Sequence, residues 1–335
     1  MVAPTPALSA VGSADELLLL NIVVLVVSVL SALGSAWMIL SFVLFKSARS
    51  FRHQLILGLA ISDFWMAINF MGSTATQLNG QKLEGASCSL NGFATQWFVV
   101  QTDYWVLMVA ICSFLVLADF KVQSNWVQSH RWVIWGIPWG LSAVWAAIGL
   151  SVSGYGNIGA WCWFTNDKTR LLVNFIPRWL IIVAILIIYT RLYFIVYNAH
   201  ERFLSMDEEA SGSRQSVGMA KMSRNSALTC DQIEVEELQG PRHKRTSKVP
   251  RSRSAPTLKR LAYRMLAYPL VYMLIWVVPT TIRIYQVTTG KPAPFAVATV
   301  DKACIVIHGF ADAVIYGFNE ASLSAWKGLL FHGRR

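Results

Sequence analysis

The chain has 335 residues, of which 55% are hydrophobic and only 14% are charged, and its mean hydropathy is +0.46. Soluble domains carry about 25% charged residues, so this composition excludes a single soluble domain and indicates a polytopic membrane protein. A net charge of +11 would suggest nucleic-acid binding in a soluble protein. Here the cations lie between apolar stretches, and we expect no nucleic-acid partner.

Seven apolar stretches are each long enough to cross a bilayer, which takes roughly 20 residues of helix. They lie at 17–45, 51–76, 92–118, 132–152, 171–198, 261–286 and 295–318. The sequence therefore predicts an all-α membrane protein built as a seven-transmembrane helix bundle. The predicted divisions are an extracellular tail at 1–16, helices one to five at 17–198, a disordered cytoplasmic loop at 199–260, helices six and seven at 261–318, and an amphipathic helix with a tail at 319–335.

The distribution of Lys and Arg predicts the orientation of the bundle, because cytoplasmic loops are enriched in these residues. With the N-terminus outside, eight of them fall in the short inner segments and four in the outer segments. The long loop adds nine basic residues and no acidic residue between Pro241 and Arg264, which suits an anionic inner leaflet. We therefore expect a multi-pass plasma-membrane protein with its N-terminus outside and its C-terminus inside.

Two of the five cysteines, Cys88 and Cys162, face the oxidising side in this orientation. Cys88 precedes the third stretch, and Cys162 lies in the loop between the fourth and fifth. A disulfide between them would tie this loop to the third helix. The alternative is a pair of unrelated free thiols.

Three carboxylates interrupt the apolar stretches: Asp63, Asp103 and Asp312. Each costs about 2.5–3.5 kcal/mol near the middle of a membrane, so each should face the interior of the bundle. The positions of Asp63 and Asp312 in their stretches would let them share a water cluster, a cation or a proton. Alternatively, each bonds separately to a neighbouring helix.

The sixth stretch contains Pro269 and Pro279, and Trp276 lies three residues before the second proline. Each proline removes a backbone hydrogen bond and can bend a helix. A bulky indole beside such a bend suits a helix that moves, although a kinked helix with a purely packing role fits the same residues.

Several motifs resemble those of G-protein-coupled receptors. The segment Leu-Ala-Ile-Ser-Asp that ends at Asp63 is similar to a second-helix signature of rhodopsin-like receptors, and Trp276-x-x-Pro279 is similar to their sixth-helix motif. Asp312-Ala-Val-Ile-Tyr316 resembles their Asn/Asp-Pro-x-x-Tyr motif, with alanine in place of proline.

A closer resemblance is to fungal receptors of the glucose-sensing and cAMP-receptor-like group. It is carried by four segments in order: QTDYWVLMVAICSFL, NFIPRWLIIVAILIIYTRLY, YRMLAYPLVYMLIWVVP and GFADAVIYGFNE. The resemblance implies sensing of an extracellular nutrient or small molecule and signalling through a Gα subunit to adenylate cyclase and cAMP. The third helix lacks the Asp-Arg-Tyr motif of rhodopsin-like receptors, since Asp119 is followed by Phe120 and Lys121.

Polar residues near the outer ends of helices five to seven are candidates for ligand binding. They are Asn174, Arg178, Arg283, Asp301 and Lys302. Cations at this depth suit an anionic or polyol ligand, although long cationic side chains also extend to lipid headgroups. The candidate conformational switch consists of Asp63, Asp103, Trp276, Pro279, Asp312 and Tyr316. We expect Trp161, Trp163 and Trp179 to lie at the membrane interface.

On the inner side, Ser252 and Ser254 lie in Arg-Ser-Arg-Ser-Ala-Pro, a pattern typical of a basophilic-kinase site and of a phosphoserine-docking motif. Phosphorylation would add about −1.5 to −2 charges to a basic segment and weaken its hold on anionic lipid. An ordinary solvated basic run has the same appearance. After helix seven, Leu323, Trp326, Leu330 and Phe331 recur near helical spacing, as in a helix lying on the inner leaflet.

Three other classes of protein would each require features of their own in the sequence. A seven-span sugar transporter would need two similar three-helix halves, which are not visible in the sequence. A retinal protein would need a lysine deep in helix seven. Lys302 lies about ten residues before Asp312, which is too close to the outer end of the helix. Hydrolase and metalloprotease motifs are absent from the sequence, and we expect neither enzymatic activity nor a cofactor.

Overall fold

The structure is a computed structural model that describes residues 13–45, 51–118, 126, 129–195, 197–198, 255–319 and 326–329. The chain divides into two compact units, one of residues 1–190 with 262–335 and the other of residues 191–261. The helical bundle described below belongs to the first unit, except for residues 191–195 and 255–261 at the ends of two of its helices.

Among the described residues, eight long helices and one short β-hairpin form the bundle. The helices are α1 (Ala14–Leu44), α2 (Phe51–Leu78), α3 (Gly85–Leu117), α4 (Arg131–Val152), α5 (Asp167–Ile195), α6 (Ala255–Thr289), α7 (Phe295–Val306) and α8 (His308–Asn319). The antiparallel hairpin pairs β1 (Gly156–Asn157) with β2 (Cys162–Trp163). Helices α1 to α6 each contain a segment long and apolar enough to cross a membrane.

Several helices begin outside the apolar stretches because polar residues form their first turns. Ser13 and Glu16 form a reciprocal capping box at the start of α1, with both hydrogen bonds at 3.2 Å. Helix α3 begins at Gly85, seven residues before the predicted position, and α6 begins at Ala255, inside the segment predicted to be disordered. A hydropathy pattern marks the lipid-embedded part of a helix, and helices extend beyond it.

The predicted seventh span is divided into α7 and α8 by a turn at Ile307. Two backbone carbonyls just before the turn accept hydrogen bonds from side chains. Nδ1 of His308 donates to the oxygen of Ile305 at 3.1 Å, and the hydroxyl of Ser31 donates to the oxygen of Val306 at 2.6 Å. Both bonds compete with the helical hydrogen-bond ladder, which explains the break.

Small side chains allow α8 to approach α1 and α2 closely. A Cβ atom built on Gly309 would lie 2.2 Å from Oγ of Ser35 and 3.1 Å from Cβ of Asp63. Buried serines on α1, among them Ser28, Ser31 and Ser35, face the interior. Small residues at a helix interface permit this close packing in a membrane.

Helix α5 contains a π-helical turn at Leu171–Phe175, which ends two residues before Pro177. Proline lacks the N–H group that would continue the α-helical ladder, so the wider turn fits its position. The turn precedes Arg178, which lies at the centre of the candidate site.

The predicted inner amphipathic helix is described only at residues 326–329, which are helical. The indole N–H of Trp326 donates to Oγ of Ser41 at 2.8 Å, and its ring packs edge-on against Phe45. Trp326 therefore rests on the end of α1. Leu323, Leu330 and Phe331 lie outside the described residues.

Candidate functional site

A buried ion pair between α3 and α5 forms the centre of the bundle. Nε of Arg178 donates to both carboxylate oxygens of Asp103 at 2.9 and 3.1 Å, and Nη2 lies 2.9 Å from Oδ2. Both side chains are at most 2% exposed. The ion pair satisfies a carboxylate that would otherwise be costly inside a membrane.

The ion pair also forms hydrogen bonds with one residue of α6 and with a second residue of α5. The hydroxyl of Tyr272 on α6 donates to Oδ1 of Asp103 at 2.6 Å, and Nη2 of Arg178 donates to Oδ1 of Asn174 at 3.1 Å. One carboxylate on α3 therefore connects three helices. We call the residues Asp103, Asn174, Arg178 and Tyr272 the central network.

Aromatic rings cover the central network on the side of α6 and α8. The guanidinium carbon of Arg178 lies 3.4 Å from the centre of the Trp276 ring, a close cation–π contact. His308 on α8 packs against both Trp276 and Tyr272, with ring centres 5.7 and 6.0 Å apart. Any movement of α6 would therefore disturb contacts to Arg178 and His308.

Four buried atoms in and beside this network have no hydrogen-bond partner among the described residues. They are Nη1 of Arg178, Nδ2 of Asn174, Nε1 of Trp276 and Nε2 of His308. The first three are donors, whereas Nε2 of a neutral His308 is an acceptor because Nδ1 donates to Ile305. A buried polar group without a partner costs about 1–3 kcal/mol, so a bound oxygen atom would stabilise this region.

A second polar cluster lies directly beside the first. Thr102 is the neighbour of Asp103 on α3, and its hydroxyl donates to Oδ1 of Asp63 on α2 at 3.2 Å. The carboxyl group of Asp312 on α8 lies close enough to that of Asp63 for the two to interact electrostatically. Consecutive residues of α3 thus contact two buried carboxylate clusters.

Tyr316 lies one turn after Asp312 on α8 and is buried. Its ring packs edge-on against Trp37 of α1 and His53 of α2, at centre distances of 5.6 and 6.5 Å. Pro279 on α6 is also buried. The structure therefore brings Asp63 and Asp312 together and joins Asp103 to Trp276 through Arg178, while the switching role of these residues stays a prediction.

The loop between α4 and α5 fills the outer end of the bundle. The predicted disulfide between Cys88 and Cys162 is present, which confirms that pairing. Ala160, Trp161, Cys162 and Phe164 are fully buried, and Trp163 is 2% exposed. The expectation that Trp161 and Trp163 lie at the membrane interface is therefore wrong, because their rings pack inside the bundle mouth.

Bundle side chains bind the backbone of this loop at every second residue. Nζ of Lys302 donates to the oxygen of Ile158 at 3.1 Å, and Ser73 donates to that of Ala160 at 3.0 Å. Further bonds join Asn91 to the amide of Cys162 and the guanidinium of Arg170 to the oxygen of Phe164. We call residues 156–164 with these contacts the loop plug.

Other predicted ligand residues also lie at the mouth. Arg283 on α6 bonds Asp167 at 3.0 Å and lies over the ring of Phe175. Asp301 on α7 interacts electrostatically with Arg283, Arg170 and Lys302. In the loop that follows α4, burial raises the pKa of Tyr155 well above its usual range, and this neutral hydroxyl donates to the oxygen of Ala146 at 2.7 Å.

The five predicted ligand residues thus fall into two groups. Asn174 and Arg178 lie in the central network, whereas Arg283, Asp301 and Lys302 lie at the mouth. Their binding of a ligand stays a prediction. Sequence reasoning missed Tyr272, His308 and Thr102, whose only signal is a polar side chain within an apolar stretch. Ser252 and Ser254 lie outside the described residues.

The described residues form a helical membrane bundle with a disulfide-bound outer loop and buried polar networks. The fold agrees with the crystal structure of squid rhodopsin, with a TM-score of 0.68 over 97% of this chain and 87% of that chain, at 15% sequence identity. This likeness shows the fold alone.

Sequence comparisons identify the family. Residues 17–203 match the model for a G protein-coupled glucose receptor regulating Gpa2, and residues 251–327 match the model of the C-terminal part of that receptor. The chain is 42% identical to "Ascaroside receptor GPR2" of Arthrobotrys oligospora, over 98% of this chain and 94% of the relative. It is 29% identical to "Cyclic AMP receptor-like protein A" of Dictyostelium discoideum, over 49% of this chain and 42% of the relative.

The chain therefore belongs to the family of G protein-coupled glucose receptors regulating Gpa2. It is a multi-pass membrane protein that signals as a G-protein-coupled receptor, with a G protein as its partner. The transporter alternative is set aside by this membership.

Proposed function

We propose that this receptor lies in the plasma membrane with its N-terminus outside and signals through a Gα subunit to adenylate cyclase. A small extracellular ligand would bind in the outer half of the bundle. The observation that carries the proposal is the central network, in which one buried ion pair connects three helices beneath the loop plug.

The unpartnered atoms around Arg178 favour a ligand that is rich in oxygen. Three donors and one acceptor in one region suit hydroxyl groups, which both accept and donate hydrogen bonds. Because Asp103 already neutralises Arg178, an uncharged hydroxylated ligand fits better here than an anion. Glucose, which the family description names, and the ascaroside named for the 42% identical relative are the first candidates.

The proposed response begins when a ligand group takes over one of the contacts of Arg178. Trp276 and Tyr272 on α6 contact Arg178 and Asp103, respectively, so α6 would change its packing. Thr102 would pass the change to the clusters at Asp63 and Asp312. Movement at the inner end of α6 would then reach the Gα subunit.

Regulation on the inner side is a separate proposal. Phosphorylation of Ser252 and Ser254 would weaken the binding of the basic loop to anionic lipid and create a site for a phosphoserine-docking adaptor. Mapping of phosphorylated residues in stimulated cells tests this idea. It would have to be dropped if both serines stay unmodified while the receptor desensitises.

The signalling proposal is tested by measuring cAMP in cells that express the receptor with each Gα subunit in turn. The cells are challenged with glucose, an ascaroside mixture, amino acids and extracellular cAMP. We expect one ligand to change cAMP with one Gα subunit. Arg178→Leu should abolish this response and Arg178→Lys should weaken it at equal surface expression, since lysine keeps the charge but not the bidentate geometry. A response unchanged in both variants would remove Arg178 from the site.

A further inference from the structure

A groove between the outer halves of α2 and α3 opens toward the lipid. Its volume is about 470 Å³, within the range of small-molecule sites. Trp65 and Leu90 in its walls are 50% and 72% exposed. The groove is separate from the central network.

The walls of this groove change from polar to apolar with depth. On α2, Thr76 lies near the outer end of the helix, and Trp65 lies roughly 16 Å deeper at 1.5 Å per residue. On α3, Ser87 lies near the outer end, and Phe98 lies the same number of residues deeper. Both walls therefore offer polar groups at the membrane surface and aromatic rings below, which matches a molecule with a polar head and an apolar chain.

Hydroxyl and amide groups in the outer part of the groove already use their own donors, so they offer mainly oxygen lone pairs to an occupant. The hydroxyls of Thr76 and Ser87 donate to the carbonyls of Gly72 and Glu84, and the amide of Asn91 donates to Asn69 at 2.9 Å. A head group would therefore have to supply donors. None of the described residues that line the groove is Lys or Arg, so nothing there would neutralise a phosphate.

We propose that this groove binds a single-chain amphiphile with an uncharged, hydroxyl-bearing head, such as an alkyl glycoside. The head would lie beside Thr76 and Ser87, and the chain would extend past Leu90 to Trp65 and Phe98. The occupant would also contact Ser73 and Asn91, which hold the loop plug at Ala160 and Cys162. Binding would thereby act on the outer loop from the membrane side.

Gly72 provides a precise way to close the groove. It lines the groove, and a Cβ atom built on it would have no neighbour within 4 Å. Gly72→Leu therefore adds a side chain to the wall of the groove with no clash at its Cβ atom. Gly140 on α4 is exposed and has the same open surroundings, so Gly140→Leu is the matched control.

The test uses the full receptor in lipid nanodiscs and a photoreactive octyl glucoside with the crosslinker on its chain. We expect crosslinks on Trp65, Ile68, Leu90 and Phe98, at least five-fold weaker in Gly72→Leu and unchanged in Gly140→Leu. Unlabelled octyl glucoside should compete, and octyl phosphocholine should not.

The proposal fails if crosslinks spread evenly over the apolar faces of α1, α4 and α5, if both leucine variants behave alike, or if both amphiphiles compete equally. Crosslinking measures occupancy and not cAMP, so this test is independent of the signalling proposal.

Discussion

The mouth of the bundle and its centre use charged residues in different ways. At the mouth, Lys302 and Arg170 bind carbonyl oxygens of the loop plug, and a disulfide fixes the same loop to α3. At the centre, Arg178 and Asp103 are paired, but polar atoms around them have no partner among the described residues. Buried atoms without a partner among the described residues also occur at the mouth, on Trp161 and Asp301. There, however, a disulfide and hydrogen bonds to backbone oxygens restrain the loop, whereas contacts between side chains hold the centre. The contacts at the mouth therefore have a structural role, whereas those at the centre can rearrange.

The largest effect is expected when one partner of the central ion pair is removed. Arg178→Leu would leave Asp103 buried without its cation, which costs about 3–5 kcal/mol. Replacing both residues with leucine should cost less than either single change, because no unpaired charge remains. Chemical unfolding of the purified receptor, followed for both single variants and the double variant, measures this difference. Strictly additive losses would show that the pair is not coupled.

Removal of the disulfide should produce the next largest effect. Changing Cys88 and Cys162 together to serine should lower the free energy of unfolding by about 2–4 kcal/mol, since the loop plug loses its covalent tether. Cys304→Ser is the control, because Cys304 is a free, half-buried cysteine. Thermal unfolding in nanodiscs measures both. Equal midpoints for the two variants would contradict a tethering role at the mouth.

A smaller effect is expected at the close contact between α8 and α1. Gly309→Ala places a methyl group 2.2 Å from Oγ of Ser35 and 2.9 Å from the backbone oxygen of Ser31, so repacking should cost about 1–3 kcal/mol. Gly136→Ala is the control, because a Cβ atom there meets nothing within 4 Å. The same unfolding measurement applies, and a neutral Gly309→Ala would show that the two helices separate easily.

The sequence predicted the bundle, the disulfide and the burial of three carboxylates, because length, hydropathy and membrane side determine these features. It did not predict the break at Ile307, since that break depends on Ser31 of α1, 276 positions earlier in the chain. Tyr272 and His308 were missed for a similar reason: their partners lie on other helices. Hydropathy also misassigned Trp161 and Trp163, because a loop with no long apolar run can still be fully buried by tertiary contacts.

The smallest expected effect tests whether Lys302 at the mouth stabilises the loop or binds a ligand. Lys302→Met keeps the length of the side chain but removes the bond to the oxygen of Ile158, which should cost about 1 kcal/mol. Faster hydrogen exchange of the loop amides between Ile158 and Phe164 would measure this loss directly, and the exposed Lys291→Met should leave exchange unchanged. If the loop instead stays protected in Lys302→Met while the cAMP response disappears, Lys302 is a ligand contact. In that case the division between a structural mouth and a changeable centre would have to be redrawn.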